Sequence, residues 1–208
     1  MSEWYGWHFL PASRKLELEQ SPRDVVLGAW MRYAGDEPVE MCARGMHASR
    51  RAINALSFER GPVVCWVELR GGIVEAGDKA VAEERRVVAW ADATAVLRRF
   101  AVWCAARALR REKVTDPRCW NALRVAARHA CGKATDVELA AARVAAGVAA
   151  WVAAGVAAGD AAGDAAWVAA RVAARDAARD AAWGAEVSAQ NEYLERQLSQ
   201  LLHVEVTR

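Results

Sequence analysis

A tetrapeptide repeat running from Arg143 to about Glu186 constrains this chain more than any other feature. In register it reads Arg-Val-Ala-Ala, Gly-Val-Ala-Ala, Trp-Val-Ala-Ala and onward to Trp183-Gly184-Ala185. Two positions in four are Ala almost throughout, the third is Arg, Gly or Trp, and the fourth is Val or Asp. Ala is the strongest helix former, and no Pro follows Pro117. The repeat therefore predicts a long helix. Thr135-Asp136-Val137-Glu138 has the Thr-x-x-Glu pattern of a capping box, which sets its start at Asp136. Gly155, Gly159 and Gly163 each cost about 0.8–1 kcal/mol relative to Ala, so a break or fold-back is expected near Gly159 if anywhere.

The period limits how such a helix packs. Four residues exceed the helical 3.6, so each repeat advances the pattern by about 40° and the large side chains return to one azimuth after about nine repeats. Trp151 and Trp167 fall on nearly opposite sides, and Trp183 comes back near Trp151. No straight apolar seam results, which excludes an ordinary left-handed heptad coil. The small residues Gly155, Gly159 and Gly163 permit close helix–helix approach. Trp151, Gly155, Gly159, Gly163, Trp167 and Trp183 are thus the expected assembly positions, and self-association into a homo-oligomer is the expected partnership, with an unidentified protein partner as the other option. Arg, Gly and Trp share codons differing only in the first base, and Val and Asp share codons differing in the second. The repeat reads as an expanded short DNA unit.

Three segments differ in charge. The chain carries a net charge of only +2, yet residues 98–128 hold nine basic side chains against two acidic ones. Arg98, Arg99, Arg107, Arg110, Arg111, Arg124 and Arg128 are the candidates for contact with nucleic-acid phosphates, a binding mode that weakens steeply with salt. The alternative is that they solvate the outer faces of a helical hairpin or pair with acidic residues of the repeat. The longest uncharged run, Val144 to Gly159, is shorter than the about 20 apolar residues a spanning helix needs, so no membrane partner is expected. An odd number of Cys, five, without a close CxxC pair, indicates free thiols in a reducing, cytoplasmic compartment.

Residues 1–92 read as a compact α+β head. Strands are expected at Trp4–Leu10, Lys15–Glu19, Val25–Tyr33, Val39–Cys42 and Val63–Leu69, with a last strand around Val81 and Val87–Trp90. Gly71-Gly72 and Gly77-Asp78 mark turns. Ser49 is placed to cap a short helix through Leu56. Residues 93–132 read as a basic helical hairpin, with helices capped by Asp92 and Asp116 and with Pro117 at the first helical position. Residues 135–203 form the repeat helix with an amphipathic end carrying Tyr193, Leu194, Leu198, Leu201 and Leu202. That end is suited to docking on the head or on a second copy. The fold class is accordingly α+β: a small β-rich N-terminal domain, a helical hairpin and a long Ala-rich helix.

The order Gly-Trp-His-Phe-Leu, Cys-x-x-Gly-x-His-Ala-Ser, Gly-Pro-Val-Val-Cys and Asp-Lys-x-Val-Ala-x-x-Arg over residues 4–110 resembles an uncharacterised family of bacteriophages and actinobacteria. Its members pair such a head with a low-complexity tail. The resemblance implies an architecture and a phage-related origin rather than a mechanism.

Within the head, Cys42, His47, Ser49 and Cys65 are the candidate binding residues. Thiol and imidazole groups are the ligands zinc prefers, but a closed structural site needs four and only His8 is near in sequence, so no metal and no cofactor are expected. A Cys-His nucleophilic pair lacks an orienting third group. The His-Ala-Ser turn between strand and helix is similar in layout to the nicotinamide pocket of ADP-ribosyltransferase-like folds, an analogy of fold alone. The readings that follow are, first, a non-enzymatic structural or interaction protein. The others are a nucleic-acid-associated protein and a head-domain ligand-binding protein or ADP-ribosyltransferase-like enzyme.

Overall fold

The computed structural model describes residues 4–16, 22–58, 61–111, 113–153 and 184–206, with side chains described outside 147–153. Nine strands and five helices lie among them. The strands are β1 (Trp4–Leu10), β2 (Lys15–Leu16), β3 (Arg23–Asp24), β4 (Trp30–Arg32), β5 (Met46–Ser49), β6 (Val63–Arg70), β7 (Val74–Ala76), β8 (Lys79–Ala82) and β9 (Glu84–Asp92). The helices are α1 (Ala52–Leu56), α2 (Thr94–Arg111), α3 (Pro117–Ala130), α4 (Asp136–Ala153) and α5 (Gly184–Leu202). The mixed α+β character expected from the sequence is present.

The chain forms two compact units. One holds the chain up to Ala93 and again from Ala185 onward; the other holds Thr94–Gly184. The head therefore contains the C-terminal helix α5, and the intervening segment is inserted between two parts of one unit. This division differs from the three consecutive segments read from the sequence.

The head is built on a seven-stranded antiparallel sheet in the order β4-β9-β6-β1-β5-β8-β7. The apolar run Trp4–Leu10 pairs along its full length with Val63–Leu69 of β6, with Trp4 opposite Leu69 and Leu10 opposite Val63. They form the centre of the sheet because each is apolar on both faces and bounded by Pro11 or Gly61-Pro62. β8 and β9 follow one another with only Glu83 between. β8 pairs with β5, and β9 pairs with β6. One nearly continuous stretch of chain thus serves opposite sides of the sheet, which must curl to bring β5 and β9 together. A hydrogen bond from Arg85 on β9 to the His47 carbonyl on β5, at 2.7 Å, closes that curl.

The concave face buries Trp4, Leu10, Met46, Ala48, Val63, Cys65, Val67, Leu69, Ala80, Ala82 and Val87 in one cluster. The other face carries Trp7, packed edge-on to Trp66 at 4.9 Å between ring centroids. Gly6 sits where β1 approaches β5: an added Cβ would lie 2.6 Å from the Ser49 carbonyl oxygen.

Three sequence expectations are corrected. The run Val25–Tyr33 yields a strand only at Trp30–Arg32, because Gly28 takes a left-handed conformation (φ +79°) while its N–H bonds the Val87 carbonyl. Val39–Cys42 is a loop closed by reciprocal backbone bonds between Glu40 and Arg44, with Cys42 at φ +65°. Ser49 ends β5 and does not cap α1; the N-cap is Arg51, which supplies no side-chain bond. The charged stretch Glu83–Arg86, which obscured the last strand, is the bend at Glu83 followed by the start of β9, and three of its charges have partners: Arg86 with Glu68, Glu84 with Arg70 and Glu83 with Arg32.

In the inserted unit, α2 and α3 pack through Ala105, Leu109, Cys119 and Leu123. The Trp120 indole N–H donates to the Val114 carbonyl at 2.8 Å and pins the connecting loop. Asp116 caps α3 through the Arg118 amide at 2.8 Å, with Pro117 at the first position. The capping box at α4 is complete: the Glu138 amide donates to Thr135 Oγ1 and the Thr135 amide to Glu138 Oε2. α3 and α4 then approach through Ala122, Ala142 and Ala146. Here Ala acts as a contact residue, since its small side chain lets two helices come close. Trp151 belongs to α4 by its backbone. Gly155, Gly159, Gly163, Trp167 and Trp183, and the expected break near Gly159, lie outside the described residues.

Candidate functional site

The residues singled out from the sequence separate into two places. His47 and Ser49 alternate with Met46 and Ala48 along β5, so they occupy the face opposite the concave cluster. The His47 ring is fully engaged with its own turn. Nδ1 lies 3.1 Å from the Gly45 carbonyl, and Nε2 lies 3.1 Å from the Cys42 amide. A carbonyl only accepts and an amide N–H only donates, so the proton sits on Nδ1 and the Nε2 lone pair is used. Gly45, at φ +117°, makes the turn possible. Burial, together with the charges of Arg85 and Lys79, keeps the His47 pKa below the ordinary imidazole value despite the Gly45 bond that favours protonation. This imidazole braces the loop Cys42–Gly45, and its lone pair is not offered to a metal or a substrate. Cys42 is exposed on that loop.

Cys65 lies elsewhere, on the concave face directly opposite His8. Burial pushes its thiol up to about 12, with the charges of Arg85 and Arg14 holding it from rising further. A thiol so raised remains protonated and is a poor nucleophile at neutral pH. Cys42, His47 and Cys65 therefore do not converge. No group of three or more His, Cys, Asp or Glu suited to a metal ion occurs among the described residues.

The concave face brings together a different set. Arg85 is 3% exposed. Burial lowers its pKa to about 10, with a smaller opposing contribution from Cys65; the guanidinium stays charged at neutral pH. His8 is half-buried and held well below the ordinary imidazole value, first by burial, then by the charge of Arg85, then by His47. Trp4, 2% exposed, has an indole N–H with no acceptor among the described residues. Trp4, Leu69 and Arg85 form one cross-strand row over β1, β6 and β9. At the other end of the face, Arg14 stacks over Trp90 at 4.7 Å, and Trp90 stands opposite Cys65. The sequence reading missed Arg85 because it sits in the run Glu-Glu-Arg-Arg. The available signal was alternation, which sends Glu84 and Arg86 to one face and Arg85 and Val87 to the other.

The basic residues of the inserted unit are largely occupied. Arg107 stacks on Trp103 and Arg110 on Trp120, at 4.8 and 5.9 Å. Arg124 reaches Asn121 at 3.5 Å. Arg128 bonds the Lys133 carbonyl at 2.9 Å and pairs with Glu138 at 3.5 Å. Arg111 is also engaged. Arg98 is half-buried on α2, and Arg99, Arg110 and Arg111 are exposed there.

No described helix is long and apolar enough to cross a membrane. Comparison with protein-family models, with curated proteins and with solved structures gave no match to this chain.

Proposed function

We propose that this is a non-enzymatic interaction protein of phage-related origin that self-associates through its Ala-rich repeat. The observation that carries this reading is the return of the chain to the head. α5 packs against α1 so that Glu195 Oε1 accepts from the Ala52 amide at 3.2 Å and Asn191 Oδ1 from the Ile53 amide at 3.1 Å. In sequence, the remainder of the repeat therefore lies between α4, which carries its first residues, and α5, which belongs to the head. The Ala contacts between α3 and α4 illustrate the close approach that its small residues favour between helices. The engaged ring of His47 and the raised Cys65 thiol speak against nucleophilic chemistry at those residues. The internal partners of Arg107, Arg110, Arg124 and Arg128 favour a structural role over nucleic-acid binding.

The test is light scattering after size exclusion on the full chain and on a variant in which residues 154–183 are replaced by a Gly/Ser linker of equal length. α5 must be kept, because truncation before the repeat also removes the acceptors of Ala52 and Ile53. A defined oligomer that becomes a monomer in the linker variant supports assembly through the repeat. Equal masses for the two chains overturn it.

A further inference from the structure

We propose that the concave face of the head sheet binds a small oxyanion, the carboxylate or phosphoryl group of a ligand, through Arg85, with Trp4 and His8 as further donors.

Donors and acceptors do not balance around Arg85. Arg85 offers five N–H donors in a planar fork, and one carbonyl, that of His47, accepts from it at 2.7 Å. The nearby carboxylates are committed elsewhere: Glu84 to Arg70, Glu68 to Arg86 and, between β8 and β9, Glu83 to Arg32; Asp92, at the far end of β9, is engaged as well. A buried guanidinium without a counter-charge is costly, and proteins rarely retain one unless something pairs with it. In the same cross-strand row, the buried Trp4 indole N–H also lacks an acceptor among the described residues. His8, neutral, has one N–H to donate. The face is rich in donors, and its acceptors are few: the His47 carbonyl is already used, and the buried cluster of this face, which includes Leu69, Val67, Val87, Ala48 and Cys65, is apolar, with the Tyr33 hydroxyl among the side chains packed against it.

Such a surface selects for a group that accepts several hydrogen bonds and carries negative charge. A guanidinium matches the two coplanar oxygens of a carboxylate or of a phosphoryl group. Access is given on the side of His8 and Trp90, both of which are only partly buried. Arg14, exposed and stacked on Trp90, adds a second positive charge there. Cys65, with its thiol protonated, contributes a small neutral wall between them. The inference does not depend on how the repeat behaves.

The experiment uses the full chain and three probes at equal ionic strength: inorganic phosphate, succinate and chloride. Thermal unfolding is followed by Trp fluorescence, and two-dimensional NMR follows the Trp4 indole N–H and the Arg85 Nε–H. The expected result is a midpoint rise on the order of 5 °C for phosphate or for succinate at about 100 times its Kd, with none for chloride, and saturable shifts of both NMR signals. A response to phosphate alone assigns a phosphoryl ligand, and a response to succinate alone a carboxylate. Arg85→Met, which keeps the length and removes the charge, should abolish the rise, and Arg85→Lys should keep part of it. Phosphate also stabilises proteins by exclusion from their surface. An equal rise in Arg85→Met, or Trp4 and Arg85 signals that stay fixed in the unmodified chain, overturns the proposal, and the NMR outcome decides even if Arg85→Met fails to fold.

Discussion

Removing the side chain of Glu195 should cost the head about 2 kcal/mol, a loss felt through a helix some 140 residues earlier in the chain. α1 has five residues, and its N-cap, Arg51, provides no side-chain acceptor. Its first residues, Ala52 and Ile53, are 0% and 1% exposed, so water does not replace a partner lost from their amides. Glu195 and Asn191, themselves 6% and 5% exposed, accept from these two amides across the packed helices. A buried amide left without an acceptor costs about 1–3 kcal/mol, and hydrogen bonds to charged groups are worth about 1.5–3. We therefore expect Glu195→Ala to lose about 2 kcal/mol and Asn191→Ala about 1–2, a sizeable part of the roughly 5–15 kcal/mol that holds a domain folded. Glu195→Gln keeps an oxygen in place and should recover most of the loss. Because the two acceptors serve adjacent amides of one short helix, the double variant should lose less than the sum. Urea unfolding followed by Trp fluorescence gives the midpoints. Amide exchange gives the local effect, with the Ala52 and Ile53 protons exchanging on the order of ten- to thirtyfold faster. Unchanged midpoints, with both protons as slow as in the parent, would refute the reasoning, since they would mean that α5 does not cap α1.

Two further outcomes follow from the same structure. Gly6→Ala should destabilise the head by about 1–3 kcal/mol, because the added Cβ would meet the Ser49 carbonyl at 2.6 Å and the Trp4 ring at 2.5 Å; an unaltered urea midpoint would contradict the close approach of β1 and β5. Acid should weaken the head: His8 and His47 have pKa values lowered from 6.5 in the fold, so below that pH the unfolded chain binds protons that the folded one refuses, and stability falls as pH drops from neutral towards the lowered values. His8→Gln should flatten that slope, and an identical pH profile in this variant would remove His8 from the account.

What the sequence disclosed, and what it withheld, divides by range. Features whose chemistry is local were legible. The cap at Asp116 needs only Pro117 and the Arg118 amide, and the box at Thr135 needs only Glu138; both form as the sequence predicts. The strands Trp4–Leu10 and Val63–Arg70 were legible because apolar runs bounded by Pro and Gly leave few alternatives. Val25–Tyr33 misled for the opposite reason. Its apolar residues suggest a strand, but the left-handed Gly28 and a bond to Val87 bend it, and that partner is distant in sequence. The buried Arg85 was hidden because charge is ordinarily a signal of exposure. Gln190, Asn191 and Glu195 are buried polar residues on the same face of α5 as Leu194 and Leu198; their polarity ordinarily signals exposure, and their role depends on amides that no local pattern points to.

The placement of α5 also bears on the origin of the repeat. A tandem repeat that expands by slippage adds or removes whole tetrapeptides, and a chain tolerates this only where the flanking contacts are indifferent to the change. An insertion between Ala93 and Ala185 meets that condition as far as the head is concerned. The contacts that close it, from Glu195 and Asn191 to α1, depend on α5 arriving and not on how much chain precedes it. Both contacts are made between α5 and α1 alone, so a change in repeat number leaves their partners the same. Any selection on that number has to act through what the inserted segment does, which under the proposed reading is the geometry of self-association.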